Sequence, residues 1–202
     1  MGSAFDSASE AVVEFAELND EQLAAAAARE GSDGPAFVAL VTRFQDRVWR
    51  VCHRLMGNEE DAADATQEVF VRLFFNRKQF RGDSKYSTWV HGVALRTCLT
   101  LRRGRTRRWR RETAAGEERG RETDDGTITE SPERSIDLMR MLDILDEEDR
   151  AMLLMKYAEG HSYDDLAQMF DLSKSACKMR VSRARTKLQE RFPDYAFDDP
   201  NS

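Results

Sequence analysis

Segment 111–135 (RETAAGEERGRETDDGTITESPERS) most constrains how this chain can fold, because it contains almost no apolar residues. Its apolar side chains are Ala114, Ala115 and Ile128. A segment of this kind cannot bury enough apolar surface to offset the entropy cost of ordering it. We therefore expect a flexible linker over 111–135 that divides the chain into two folded units.

Apolar residues recur at helical spacing on both sides of this segment, and no stretch shows convincing strand alternation. In the first unit we predict helices over 20–30, 36–56, 59–76 and 88–108. In the second we predict helices over 136–145, 147–158, 163–170 and 174–191. The predicted fold class is all-α, with two small helical domains at 19–110 and 136–192. An acidic extension (1–18) and an acidic tail (193–202) flank them.

Charge is distributed unevenly along the chain. The formal net charge is −6, yet eight arginines and no acid lie between Arg96 and Arg111. Six more cations and no acid lie between Ser173 and Leu188. Concentrated cations in an acidic chain indicate a nucleic-acid partner better than the overall charge does.

Several function classes are not supported by the sequence. It has neither an apolar run of about 18 residues nor a secretory signal, so we expect a cytoplasmic protein without a membrane span. The three cysteines are isolated and are interpreted as packing residues. We find no phosphate-binding glycine loop, metal-ligand spacing or nucleophile–base motif, and His53, His91 and His161 are interpreted as surface or packing residues. We expect no cofactor, no metal and no enzymatic activity.

The stretch SYDDLAQMFDLSKSACKMRVSRA has the layout of a helix-turn-helix. A short helix is followed by the turn Asp171, Leu172 and Ser173, and Ser173 can cap a longer helix. The turn usually favours glycine because its backbone tends to be left-handed, whereas this chain has Asp171. At 100° per residue, the longer helix buries one stripe: Cys177, Val181, Ala184 and Leu188. Its outermost strip is Ser175, Met179, Ser182 and Thr186, with Lys174, Lys178 and Arg185 on one flank and Arg180, Arg183 and Lys187 on the other. Such a helix suits a DNA major groove, with Lys178 and Arg180 best placed to reach DNA.

The stretch DAADATQEVFVRLFF carries an acidic stripe, formed by Asp61, Asp64 and Glu68. This stripe is either a solvated face or a docking face for a basic partner, and the residues alone leave both open. The next stretch, 80–111, interleaves aromatic residues with arginines. This composition suits binding of single-stranded nucleic acid, because aromatic rings stack on unpaired bases and arginines contact the phosphate backbone. There we expect an exposed loop, 81–86, to touch an extruded base and Trp89 to pack in the core.

Together, DAADATQEVFVRLF, YSTWVHGVALR and LDEEDRAMLLMKYAEGHSYDDLAQMF resemble the extracytoplasmic-function sigma factors of bacteria. The resemblance covers about 20–192 and implies a promoter-specificity subunit of RNA polymerase, with 19–110 as region two and 136–192 as region four. It implies binding to the clamp helices of the largest polymerase subunit through Asp61, Asp64, Gln67 and Glu68. It implies recognition and melting of the −10 element through Arg81, Asp83, Ser84, Lys85, Tyr86, Trp89, Arg96, Arg102 and Arg103. It implies reading of the −35 element through Lys174, Ser175, Lys178, Met179, Arg180, Ser182 and Arg183.

The resemblance also implies an anti-sigma factor as a partner, beside the polymerase core and promoter DNA. The alternative is a stand-alone helix-turn-helix regulator that binds duplex DNA as a dimer. That alternative accounts for the second unit but leaves the acidic stripe and the arginine–aromatic segment without a role.

Overall fold

The computed structural model describes residues 15, 17–31, 34–114 and 141–195. In the first unit, α1 is Asp20–Arg29, α2 is Pro35–Met56, α3 is Glu59–Asn76 and α4 is Tyr86–Ala114, with a 3-10 turn at Arg77–Gln79. In the second, α5 is Glu147–Leu153, followed by a π-helical turn at Leu154–Ala158, then α6 at Tyr163–Phe170 and α7 at Lys174–Arg191. The described ranges contain no strand, and the predicted all-α fold with two helical units is confirmed.

Helix starts follow from capping side chains. Asn19 forms a capping box with Gln22, and Asn58 accepts a hydrogen bond from the Asp61 N–H at 2.9 Å. Ser162 forms a second capping box with Asp165, and the two hydrogen bonds from the Ser162 and Asp165 N–H groups are 2.9 and 3.1 Å long. Each cap satisfies N–H groups that a helix leaves unpaired at its first turn, which fixes where the helix begins.

The largest difference from the predicted helices is at the end of α4. The sequence predicts an end at 108, whereas the helix runs to Ala114. Arginine is a good helix former, so an arginine-rich stretch continues a helix without an apolar face to bury. Residues 111–114 of the predicted linker therefore belong to α4. The rest of that linker and residues 136–140 lie outside the described residues.

The first unit is held together by α1, α3 and α4 packed around α2. Phe44, Val48 and Val51 of α2 are at most 1% exposed, as are Val69 of α3 and Val90 of α4. In the second unit, the core is formed by fully buried side chains from α5 to α7, among them Met152, Met155, Leu166 and Val181. The buried apolar residues of both units belong to one contiguous core. Within the described part of the chain, no helix is both long enough and apolar enough to cross a membrane.

Candidate polymerase and DNA interfaces

Helix α7 has one buried face and one exposed face, as its sequence predicts. The buried stripe is Cys177, Val181, Ala184 and Leu188, each at most 2% exposed. The opposite strip is exposed along its length: Ser175, Met179, Ser182 and Thr186. The predicted orientation is confirmed, and Met179, 54% exposed, is the large apolar side chain of the outer strip.

The turn before α7 fixes how this helix projects from the unit. Asp171 has φ 53° and ψ 50°, and it is the sole non-glycine residue with positive φ in the described ranges. The Leu172 N–H donates to the carbonyl of Ala167 at 3.0 Å. Ser173 then accepts a hydrogen bond from the Ala176 N–H at 3.1 Å. The left-handed turn and the cap together hold α7 at a defined angle to α6.

The cations of α7 differ in how free they are. Lys174 Nζ donates to Asp164 Oδ2 at 2.7 Å, an exposed ion pair that competing phosphate can replace. Lys178 Nζ lies 5.7 Å from the Tyr163 ring centroid, and both Lys178 and Arg183 are exposed. These three side chains lie beside the outer strip.

Arg180 was expected to reach DNA from the exposed surface of α7, but the structure places it elsewhere. Its guanidinium contacts carboxylate oxygens of Asp149 at 2.7 Å, Glu148 at 3.0 Å and Asp146 at 3.6 Å, and its side chain is 28% exposed. The acidic first turn of α5 draws Arg180 inward, because several carboxylates on one helix end attract a flexible cation strongly. In this arrangement Arg180 ties α7 to α5 instead of facing outward.

The acidic stripe lies on α3. Asp64 and Gln67 are exposed, whereas Glu68 accepts a 2.7 Å hydrogen bond from Arg72 one turn later. Asp61 is tied down more firmly, because it pairs with Arg105 of α4. Asp64, Gln67 and Glu68 are thus the predicted docking residues most open to a partner.

Two apolar residues on this face were missed by the sequence reasoning. Phe75 is 75% exposed and Val71 is 44% exposed. At 100° per residue, Phe75 projects between Asp64 and Glu68, and Val71 lies about 20° beyond Asp64 on the same face. The helical projection could have found them, since an apolar residue among acids on a solvated face is a signal of contact.

The loop before α4 is exposed at Arg81, Asp83 and Lys85, and Ser84 is half-buried. Tyr86, by contrast, was expected in this exposed loop but is the first residue of α4 and is 2% exposed. Its ring packs edge-on against Phe44 at 5.4 Å and Phe80 at 5.1 Å. Burial, with a smaller contribution from Asp20, raises the pKa of the Tyr86 hydroxyl above its usual value. Tyr86 therefore supports the loop from the core, because its ring is covered by neighbouring aromatic side chains.

Trp89 and the arginines of α4 complete the predicted −10 residues. Trp89 is half-buried and packs on Phe80 and Tyr86 with ring centroids 5.7 and 5.5 Å away, in agreement with the expected core role. Arg102 donates to the carbonyl of Leu55 at 2.6 Å, which anchors it on the first unit. Arg96 is exposed on one side, and its guanidinium reaches the carbonyl of Met169 at 3.4 Å.

Two family models match the chain. Sigma-70 region 2 matches residues 40–108, and Sigma-70, region 4 matches residues 135–188. The extracytoplasmic-function (ECF) RNA polymerase sigma factor SigM of Mycobacterium tuberculosis is 30% identical over 172 residues, which cover 85% of this chain and 84% of SigM. The chain belongs to the ECF sigma factors.

Other known proteins agree with this assignment. The ECF sigma factor SigW of Bacillus subtilis is 27% identical to this sigma factor over 173 residues, covering 80% of this chain and 91% of SigW. Among solved structures, CnrH in complex with the cytosolic domain of CnrY shares its fold, with a TM-score of 0.63 and 22% identity. That similarity covers 88% of this chain and 99% of CnrH.

As an ECF sigma factor, the protein binds the RNA polymerase core and promoter DNA and directs transcription initiation. It is not a stand-alone regulator, because region 2 would have no role in one. Within the described ranges, no group of three or more His, Cys, Asp and Glu side chains is placed to hold a metal ion.

Proposed function

We propose that three surfaces of this sigma factor divide the work of initiation. The exposed face of α3 docks on the clamp helices of the largest polymerase subunit. Loop 81–85 and α4 hold the melted −10 element, and α7 reads the −35 element. In this proposal, residues 19–110 form region two and residues 136–192 form region four, as expected from the sequence, and a linker joins them.

The observation that carries this proposal is the composition of the exposed α3 face. It combines the carboxylates of Asp64 and Glu68 with the exposed apolar side chains of Val71 and Phe75. An exposed phenylalanine contributes nothing to a helix face that stays in water. At the centre of a docking face, the same side chain adds binding free energy when the partner buries it. The carboxylates add charge complementarity to a basic partner and fix the register of docking.

The DNA-facing surfaces act without covalent chemistry. Phosphate contacts from Lys174, Lys178 and Arg183 supply affinity that falls with salt. Unpaired bases captured near loop 81–85 hold the melted state, because stacking contributes about 1–3 kcal/mol per base. The protein then acts as a non-catalytic subunit in the cytoplasm, where the polymerase is.

We also propose that an anti-sigma factor regulates the protein. The support is the structural similarity to two sigma factors solved with partners, CnrH with the cytosolic domain of CnrY and RpoE of Bartonella quintana with the anti-sigma factor NepR.

The test is promoter-dependent transcription by purified bacterial core polymerase on a pool of genomic fragments from the source organism. We expect discrete new start sites with the wild-type chain. The double variant Asp64→Lys/Glu68→Lys should lose polymerase binding, measured by fluorescence anisotropy, while its far-UV circular dichroism stays unchanged.

The matched control is Asp46→Lys/Glu190→Lys, which changes the charge equally at exposed positions on α2 and α7. It should bind polymerase as the wild type does. Retained binding by the α3 double variant, or equal loss in both double variants, would remove the docking assignment.

A further inference from the structure

A pair of buried histidines joins the two units. His91 of α4 and His161, just before α6, are 6% and 8% exposed. His91 Nδ1 lies 2.7 Å from His161 Nε2, and the two rings meet edge to face. The sequence gives no sign of this contact, since the two residues are far apart along the chain.

Further contacts extend the pairing along α4. Towards its start, the Thr88 hydroxyl donates to Asp165 Oδ1 at 2.8 Å. Towards its end, Arg102 and Arg103 reach Glu147 and Glu148 of α5 at 3.4 and 2.5 Å. Region 4 therefore lies along much of the length of α4.

This closed arrangement occupies side chains that the proposed function assigns to DNA. The guanidinium of Arg96 reaches the carbonyl of Met169, and Arg102 and Arg103 meet carboxylates where DNA would offer phosphates. Because α4 cannot face the −10 element and region 4 at once, the units must separate before promoter DNA binds.

The histidine contact depends on protonation. A hydrogen bond between two imidazole nitrogens needs an N–H on one ring and a lone pair on the other. The contact therefore survives when one of the two histidines is protonated. When both are protonated, two N–H groups face each other and the hydrogen bond is lost. His91 Nε2 is already buried with no hydrogen-bond partner. A second proton would therefore place an unpaired charge in a buried interface, which is costly.

The charges around the pair act on it in opposite directions. Arg47 and Arg50 of α2 disfavour a proton on His91. Asp165, whose Oδ2 is 4.0 Å from His161 Nδ1, and Glu159, which pairs with Arg54 of α2, favour one on His161. Burial outweighs these carboxylates, so the pKa of His161 is lowered.

We propose that the His91–His161 pair, at the centre of the contact between regions 2 and 4, makes this closed state open on acidification. Closure itself does not depend on the proposed −10 role of α4, although its effect on promoter binding does. The ligand that switches the protein is the proton.

The direction of the pH dependence follows from His91. Burial, followed by the charges of His161, Arg47 and Arg50, lowers the pKa of His91 from 6.5 to about 4. The closed state thus binds protons less well than an open state, in which His91 has its usual pKa. Closure is at full strength above pH 6.5 and weakens as the pH falls towards 4. Between pH 7.5 and 5.5, His91 alone lowers the closed-to-open ratio by about tenfold.

The experiment measures opening through a thiol placed in the interface. Met169 is 4% exposed, and its Cγ lies 3.6 Å from where a side chain on Gly92 would begin. In a full-length Met169→Cys chain, labelling by a dithiodipyridine reagent requires separation of α4 from α6. The native Cys177, buried inside region 4, is the internal control for unfolding of that unit. Mass spectrometry of the labelled peptides gives both rates at pH 7.5 and 5.5. Each rate is divided by that of the urea-unfolded chain at the same pH.

We expect the corrected rate at position 169 to rise about tenfold or more on acidification, while that at Cys177 stays nearly constant. Adding His91→Gln and His161→Gln should abolish the rise, whereas adding His53→Gln, which changes a buried α2 histidine that stacks on Trp49 of the same helix, should leave it unchanged. The proposal is overturned if the rate at 169 does not rise, if Cys177 rises in parallel, or if the glutamine pair retains the rise. Polymerase binding is not part of this measurement, so its result is separable from that of the transcription assay.

Discussion

Replacing Asp171 by glycine should stabilise region 4, because Asp171 occupies a left-handed backbone conformation in the turn between α6 and α7. That conformation costs an ordinary L-residue about 1–2 kcal/mol, and aspartate somewhat less. Glycine removes this cost but loses about 0.5–1 kcal/mol through its greater freedom in the unfolded chain. We expect a net gain of about 0.5 kcal/mol for Asp171→Gly and a loss of at least about 1 kcal/mol for Asp171→Val, which is β-branched.

The assay is urea unfolding of the full chain followed by far-UV circular dichroism, with the midpoint and slope compared across the series. Gly160→Ala is the control in the opposite direction, because it replaces glycine by an L-residue at another position with positive φ. Gly160 has φ 71°, and no atom lies within 4 Å of the position that a Cβ would take. It should lose about 1 kcal/mol through backbone strain alone. Equal stability of the glycine, aspartate and valine chains would refute the reasoning, since it would mean that the turn is not left-handed in solution.

Three further predictions concern the proposed surfaces and their support. Lys178→Ala should weaken binding to a −35 duplex by about 1–3 kcal/mol if the Lys178 side chain reads a base, and fluorescence anisotropy measures this loss. Lys187→Ala removes the same charge from the same helix. It should have a smaller effect that is uniform across DNA sequences. Phe75→Ser should lower polymerase affinity about 5- to 30-fold, from a loss of about 1–2 kcal/mol of buried apolar contact, and a change equal to that of Tyr195→Ser would contradict it. Arg180→Ala should destabilise region 4 by about 1 kcal/mol in urea unfolding, and an unchanged midpoint would show that its ion pairs contribute nothing net.

Local features of this protein could be predicted from its sequence. Helices α6 and α7 begin where the sequence predicts. Ser162 and Ser173 are capping residues that directly precede the apolar periodicity of these helices. The buried stripe of α7 follows from 100° per residue and needs no tertiary information. The sequence analysis noted that this turn usually favours glycine because its backbone tends to be left-handed, and Asp171 adopts that conformation although it is not glycine.

What the sequence could not supply depends on contacts between distant residues. Tyr86 lies beside polar loop residues in the chain, yet aromatic packing on Phe44 takes it into the core. Arg180 has the same helical projection as a DNA-facing cation, but the acids of α5 lie close enough to draw it inward. The His91–His161 contact depends on how two units pack, which periodicity within either unit does not encode.

The position of α4 between the two units also bears on how such a protein can evolve. Arg96 faces region 4 in the closed state and belongs to the helix proposed to contact the −10 element. A substitution there alters two equilibria together, so a change of promoter preference also changes how often the protein is available to bind one. Selection for a new promoter would have to act on both traits at once, and compensating changes are expected on α6, whose Met169 carbonyl Arg96 contacts.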